Sequence, residues 1–107
     1  MLSFNDSTDL EVTVERIWRS PPIQFNNECI SRVRNAARTC NFAFNEMVSG
    51  AGHDSVYISS VAPTSMIFIP CDDGVSHNEL ENTSPEFAGA GANVLLHSVL
   101  ASTGNYA

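Results

Sequence analysis

Between residues 8 and 18 apolar and polar side chains alternate, with Leu10, Val12, Val14 and Trp18 on one side and Asp9, Glu11, Thr13 and Glu15 on the other. A period of two built on β-branched residues predicts a half-buried strand, although Arg16 interrupts its apolar side. Pro21-Pro22 cannot join a ladder and makes a stiff, extended joint, a natural domain boundary. Beyond it the period changes. Cys29, Ile30, Val33, Ala36, Ala37 and Cys40 fall on one helical face, and Asn26 or Asn27 can cap a helix running to about Thr39.

Phe42 and Phe44 then start a short strand ending near Met47, followed by a glycine-rich turn, Ser49-Gly50-Ala51-Gly52. A helix is expected from about Asp54 to Val61, stopped before Pro63. Met66-Ile67-Phe68-Ile69 is apolar without alternation, as in a strand covered on both faces of a parallel sheet. A long loop, Pro70 to Asn82, leads to Thr83-Ser84-Pro85-Glu86. That quartet signals a helix start: a hydroxyl cap, proline in the first turn and an early acid that offsets the macrodipole. The helix should reach about Ser102, with Phe87, Val94, Leu95, Leu96, Val99 and Leu100 as its apolar residues. Gly89 and Gly91 weaken it locally and suggest close approach to a neighbouring backbone. No internal repeat or low-complexity tract interrupts this order.

After Pro22 the order is therefore helix, strand, helix, strand, helix. A strand–helix–strand crossover implies parallel neighbours joined right-handedly, so the turns after both strands emerge at one edge, where open α/β sheets bind ligands. His53 and His77, 24 residues apart, each follow one of those strands and should share a crevice. The first strand, before the Pro-Pro joint, fits that sheet poorly and reads as part of a different unit.

Composition narrows the function. The 107 residues allow one domain at most, with a modest core, and 43% apolar content argues for a folded chain. Five arginines, no lysine and twelve acids give a formal charge of −7, which repels phosphate backbones and anionic lipid and argues against nucleic-acid or membrane partners. Arg32, Arg34 and Arg38 cluster, as a solvated helix face does. Cys29, Cys40 and Cys71 show no metal-type spacing; two of them lie at apolar helix positions, which suits a reducing compartment. No apolar run approaches the roughly 20 residues of a membrane span. The first residues lack the layout of a secretory signal, so a cytoplasmic location is expected.

Three readings compete for the histidine motifs. Gly50-Ala51-Gly52-His53-Asp54-Ser55 nearly fits the dinucleotide-binding fingerprint, with Asp72 and Asp73 about twenty residues on. Against this, the third small position is serine, His53-Asp54 would set a bulky pair and an acid beside a pyrophosphate, and residues 42–47 are too polar for a central strand. Metal chemistry is the second reading. Catalytic zinc takes three or more protein ligands, and His77, His53, Asp72, Asp73 and Cys71 are available. The third is plain structure: composition alone favours an exposed loop histidine for His77, and an ordinary surface or half-buried one for His97.

Four motifs in order carry a specific resemblance: residues 47–55 (MVSGAGHDS), 63–70 (PTSMIFIP), 73–78 (DGVSHN) and 81–86 (ENTSPE). Over about residues 17–101 the chain resembles the C-terminal part of the N-carbamoyl-L-amino-acid hydrolases, allantoate amidohydrolases and β-ureidopropionases. These belong to the dinuclear-zinc peptidase and amidohydrolase superfamily. The resemblance implies an α/β fold: the C-terminal segment (21–107) of a catalytic domain with a mostly parallel sheet flanked by helices. Residues 1–20 would then be the last strand of an inserted dimerisation, or lid, domain. It implies that His77 is a metal ligand and that His53, with Gly52, contacts the substrate. His53 would steady the carbamoyl or amide oxygen as it gains negative charge.

The cofactor implied is a two-zinc site, with manganese or cobalt as substitutes, and the partners are a small carbamoyl or ureido compound and a second copy of the full-length chain. The family's other ligands, its general base and its carboxylate-gripping arginine have no counterpart here. The expectation is thus a fragment of a hydrolase of linear C–N bonds, inactive alone, whose cut sheet exposes an edge and an apolar face. An alternative is a non-catalytic module that pairs with another chain. The acidic Cys71-Asp72-Asp73 and the run Asn78-Glu79-Leu80 depart from the family pattern without touching either histidine.

Overall fold

Two helices pack together and almost everything else hangs from them. The computed structural model describes residues 2–5 and 10–104. Its elements are β1 (Leu2–Asn5), β2 (Glu11–Val14), α1 (Asn27–Thr39), α2 (Asp54–Ile58) and α3 (Pro85–Thr103), with a single 3-10 turn at Asp72–Gly74.

α1 begins where its cap dictates. The Asn26 side chain accepts from the Cys29 amide at 2.9 Å, satisfying one of the orphan donors of the first turn. Glu28 stands in that turn and Arg38 in the last, both signs matching the macrodipole. α3 starts the same way, the Ser84 hydroxyl accepting from Phe87 N–H at 3.1 Å with Pro85 in the first turn, and it ends on Gly104 in the left-handed conformation.

Between these helices lies the core: Ala36, Ala37 and Val94, with Val33 and Ile67 packed against it. Small residues on α1 allow close approach of α3, and Gly91 on α3 lets the 63–71 segment come close on its own side, since a Cβ there would meet Ile69 Cγ2 at 2.7 Å. The close neighbour is thus a side chain rather than a backbone. At Gly89 nothing lies within 4 Å, so the close approach expected there is not found. Ser98 is buried beside the core and hands its hydroxyl to Val94 C=O at 2.7 Å.

The expected parallel sheet is not formed among the described residues. Residues 42–49 and 63–71 carry no regular element, and the one sheet among the described residues is the antiparallel pair β1–β2, with Phe4 opposite Val12. An extended apolar segment becomes a strand only when a neighbour takes up its N–H and C=O groups, and these two segments meet no such neighbour. They are held instead by contacts with the helices. Asn26 N–H donates to Thr64 C=O at 3.0 Å. Arg34 pairs with Glu46, and Arg38 lies over the Phe44 ring at 5.6 Å from its centre. With Arg32 paired to Glu28 at 2.7 Å, the clustered arginines are engaged within the chain rather than spread as a free basic face.

The predicted strand over 8–18 is realised as β2 alone; residues 8 and 9 lie outside the described residues, and Val12, Val14 and Trp18 are exposed rather than half-buried. Its partner β1 was not anticipated. α2 is shorter than expected, ending at Ile58, with turns carrying the chain to Ala62. Much of the apolar set of α3 is uncovered: Leu95, Leu96 and Val99 are each at least half exposed. A cleft of about 670 Å³, lined in part by Val33, Met66, Ile69, Gly91, Leu95 and Val99, opens between α1, α3 and the 63–71 segment.

The radius of gyration is 19.5 Å, against about 13 Å for a compact domain of this length. Accessible area is 8790 Å², where roughly 5,800 Å² would be usual for this mass. These residues do not enclose a core of ordinary size. Among the described residues no helix is long and apolar enough to cross a membrane, and Cys29, Cys40 and Cys71 are all free thiols.

Candidate functional site

The two histidines come together. The ring centres of His53 and His77 lie 5.6 Å apart, tilted at 51°, and His53 also meets Phe68 edge-on at 5.5 Å. Each reaches this point through a different loop.

His53 is the N-cap residue of α2, its backbone extended at φ −140° and ψ 152°. Its carbonyl accepts the first bond of the short helix, from Val56 N–H at 3.0 Å, while its side chain does no capping and turns back over the glycine-rich loop. There the Ser49 hydroxyl sits 2.7 Å from His53 Nε2, and the same oxygen accepts from Ala51 N–H at 3.2 Å. Ser49 and His53 thus bracket Gly50-Ala51-Gly52 with a closed hydrogen-bonded loop. Gly52 has neither a positive φ nor any atom within 4 Å of where a Cβ would stand. Nothing among the described residues demands glycine at that position.

His77 sits at the far end of a loop pinched at its neck. Thr83 Oγ1 donates to Pro70 C=O at 2.7 Å, Asp72 N–H to Asn82 C=O at 2.7 Å, and Asn82 Nδ2 to Asp72 Oδ2 at 2.8 Å. Such a loop, its ends tied and its tip exposed, is built to present side chains. Inside it the chain turns sharply: Asp73 at φ 53°, Gly74 at φ 69° and His77 at φ 55° are all left-handed. That conformation costs a residue with a Cβ about 1–2 kcal/mol, so the loop must hold His77 in place against its own preference. The consequence is an exposed imidazole set beside that of His53.

The other sequence candidates do not join them. Among the described residues no group of three or more His, Cys, Asp or Glu side chains could hold a metal, so Asp72, Asp73 and Cys71 do not complete a ligand set around His77. Asp72 is engaged by Asn82, and the Cys71 thiol points to Ile69 C=O and Glu81 Oε1 at 3.9 and 3.8 Å. His97 is half-buried on α3 with Nδ1 unpartnered, apart from this site. The 670 Å³ cleft contains neither His53 nor His77. The dinucleotide fingerprint loses its context, because no paired strand precedes the turn and the helix after it has only five residues.

Chemically, the site offers two imidazoles within reach of one small group. Among the described residues no carboxylate orients His53 Nδ1, so the Ser49–His53 contact lacks the third member of a nucleophile–base–acid array. Sequence reasoning passed over Ser49 and Phe68 as neighbours of His53, although the four-residue spacing across a glycine turn was a legible signal for the serine.

Comparison with known proteins gives the chain its family. A model of the peptidase family M20/M25/M40 matches residues 6–101. The chain belongs to that family. It is 44% identical over 88 residues to the N-carbamoyl-L-amino-acid amidohydrolase of Rhizobium meliloti, a match covering 82% of this chain and 21% of that protein. To the allantoate amidohydrolase of Escherichia coli strain K12 it is 31% identical over 84 residues, 78% of this chain and 20% of the relative. A solved structure of a hydantoinase/carbamoylase-family amidase from Burkholderia vietnamiensis superposes with a TM-score of 0.77 at 50% identity, covering 81% of this chain and 21% of that one. The chain therefore spans about a fifth of the length of these relatives, and the two curated ones among them are amidohydrolases.

Proposed function

We propose that this M20-family chain forms one edge of the active site of a hydrolase that cleaves linear C–N bonds in small carbamoyl or ureido compounds. The observation that carries the reading is the 5.6 Å approach of the His53 and His77 rings from separate loops. In this reading His53 donates a hydrogen bond to the substrate oxygen as it becomes negative, a contribution that preorganised donors supply in acyl-transfer sites. Gly52 leaves the backbone open beside it, consistent with a glycine that the fold itself does not require.

His77 is assigned as one metal ligand. The described residues do not make up a metal centre, so in this reading the remaining ligands come from protein outside them, and no catalytic step is derived through the ion. It follows from this reading that the 107 residues alone are without activity. Residues 21–107 belong to the catalytic domain and residues 1–20, with the β1–β2 hairpin, to a dimerisation domain of a homodimeric, cytoplasmic enzyme, joined by the extended Pro21-Pro22. The uncovered faces of α3 favour a second reading, a module that pairs with another chain; co-purification with a polypeptide carrying the rest of the fold would distinguish it.

The test is a chimera in which residues 17–101 replace the matching segment of the Rhizobium meliloti relative. Hydrolysis of carbamoyl amino acids should survive the exchange. His77→Ala should then lower turnover at least about a thousandfold, the scale of a lost ion, and reduce bound metal. His53→Ala should cost about 10²–10³-fold with metal retained. A His77→Ala chimera that keeps both metal and activity would overturn the assignment.

A further inference from the structure

Ser49 makes contacts that the proposed function leaves unused. Resting on the role given to His53 above, we propose that Ser49 is a positioning residue that sets the tautomer of that imidazole. Its hydroxyl donates to Nε2, so the neutral ring carries its proton on Nδ1 and presents an N–H donor.

Counting hydrogens leaves two arrangements, and the role given to His53 selects one of them. A serine hydroxyl has one hydrogen and two acceptor lone pairs. Ala51 N–H, 3.2 Å away, occupies one lone pair, and His53 Nε2 lies 2.7 Å from the same oxygen. If Nε2 carried the proton and donated, Ser49 would receive two N–H bonds. Its own hydrogen would then be left to solvent. With the hydroxyl donating, both contacts are satisfied, and the hydrogen left without a partner among the described residues is the ring's Nδ1–H, the one that the role given to His53 hands to the substrate oxygen. His53 Nδ1 makes no hydrogen bond to any described residue, yet it is not sealed off as His97 Nδ1 is.

The same choice decides what the ring can do. An unprotonated Nδ1 would offer a lone pair to a substrate oxygen and repel negative charge there, whereas Nδ1–H attracts it. Phe68 edge-on at 5.5 Å and His77 at 5.6 Å flank the ring, so its plane is braced while Ser49 settles its proton. The loop explains why serine serves here. The Ala51 bond fixes the hydroxyl oxygen, which leaves the hydrogen as the only free variable.

The experiment is long-range nitrogen–proton correlation of the imidazoles in the uniformly ¹⁵N-labelled 107-residue chain, at a pH where histidine is neutral. His53 should show a single Nδ1–H tautomer. Ser49→Ala should convert it to the averaged signature of an unconstrained ring, and Ser49→Thr should restore the single form. A wild-type chain with the Nε2–H form or an averaged ring overturns the proposal, as does Ser49→Ala with an unchanged signature. In the chimera, Ser49→Ala should lower kcat about 10–100-fold, the usual scale for groups that orient a functional imidazole, with KM little changed and threonine rescuing. A tautomer result against Ser49 combined with a large His53→Ala effect would leave the function standing and remove only the positioning role. A chimera indifferent to His53→Ala would remove both.

Discussion

The α1–α3 pair and the two histidine loops are held by different physics. The helices are capped by their own side chains and packed through Ala36, Ala37 and Val94, so local signals and burial agree. The loops bury almost nothing. Ser49, Thr83, Asn82 and Asp72 fix them through hydrogen bonds, and His77 stays exposed in a conformation that its Cβ disfavours. A region stabilised by burial can be shifted by one methyl group. A region stabilised by tied loop ends tolerates bulk but depends on single polar contacts. The contrast also separates stability from function, since the packed half holds none of the candidate site residues.

The largest effect that would sharpen this contrast is at Ala37. Replacing it with leucine forces three more carbons into the buried core between the helices and should destabilise the chain by about 1–3 kcal/mol, read as a lower urea midpoint of the helical signal. A neutral result would mean that the pair does not pack as described.

A subtler pair compares two glycines one turn apart or less on the same helix. Gly91→Ala should be net destabilising by about 1 kcal/mol, because the clash with Ile69 Cγ2 at 2.7 Å outweighs the gain in helix propensity. Gly89→Ala, with nothing within 4 Å, should instead stabilise by up to about 1 kcal/mol. Equal effects at the two sites would show that helix propensity alone sets the response.

How much of this was legible varies with the kind of signal. α1 and α3 were readable to within a residue or so, because Asn26 and Ser84-Pro85-Glu86 are local instructions and the apolar face of α1 states its own period. The segments at 42–47 and 66–69 have the composition of strands but not the neighbours, and no local pattern reports a missing neighbour. β1 escaped because four residues carry too little alternation to register. The meeting of His53 and His77 was expected from strands sharing an edge. The rings do meet, yet through pinned loops rather than through a ladder, and the left-handed turn at His77 that helps bring them together has no glycine to announce it. Ser49 was in plain view and was read only as turn chemistry.

The central claim is that two loops deliver their imidazoles to one place. It is tested most directly by nuclear Overhauser contacts between ring protons in the labelled 107-residue chain. With ring centres 5.6 Å apart, cross-peaks between His53 and His77, and between His53 and Phe68, should appear alongside those joining Ala37 to Val94. Helix-to-helix cross-peaks without any contact between the two histidines would contradict it.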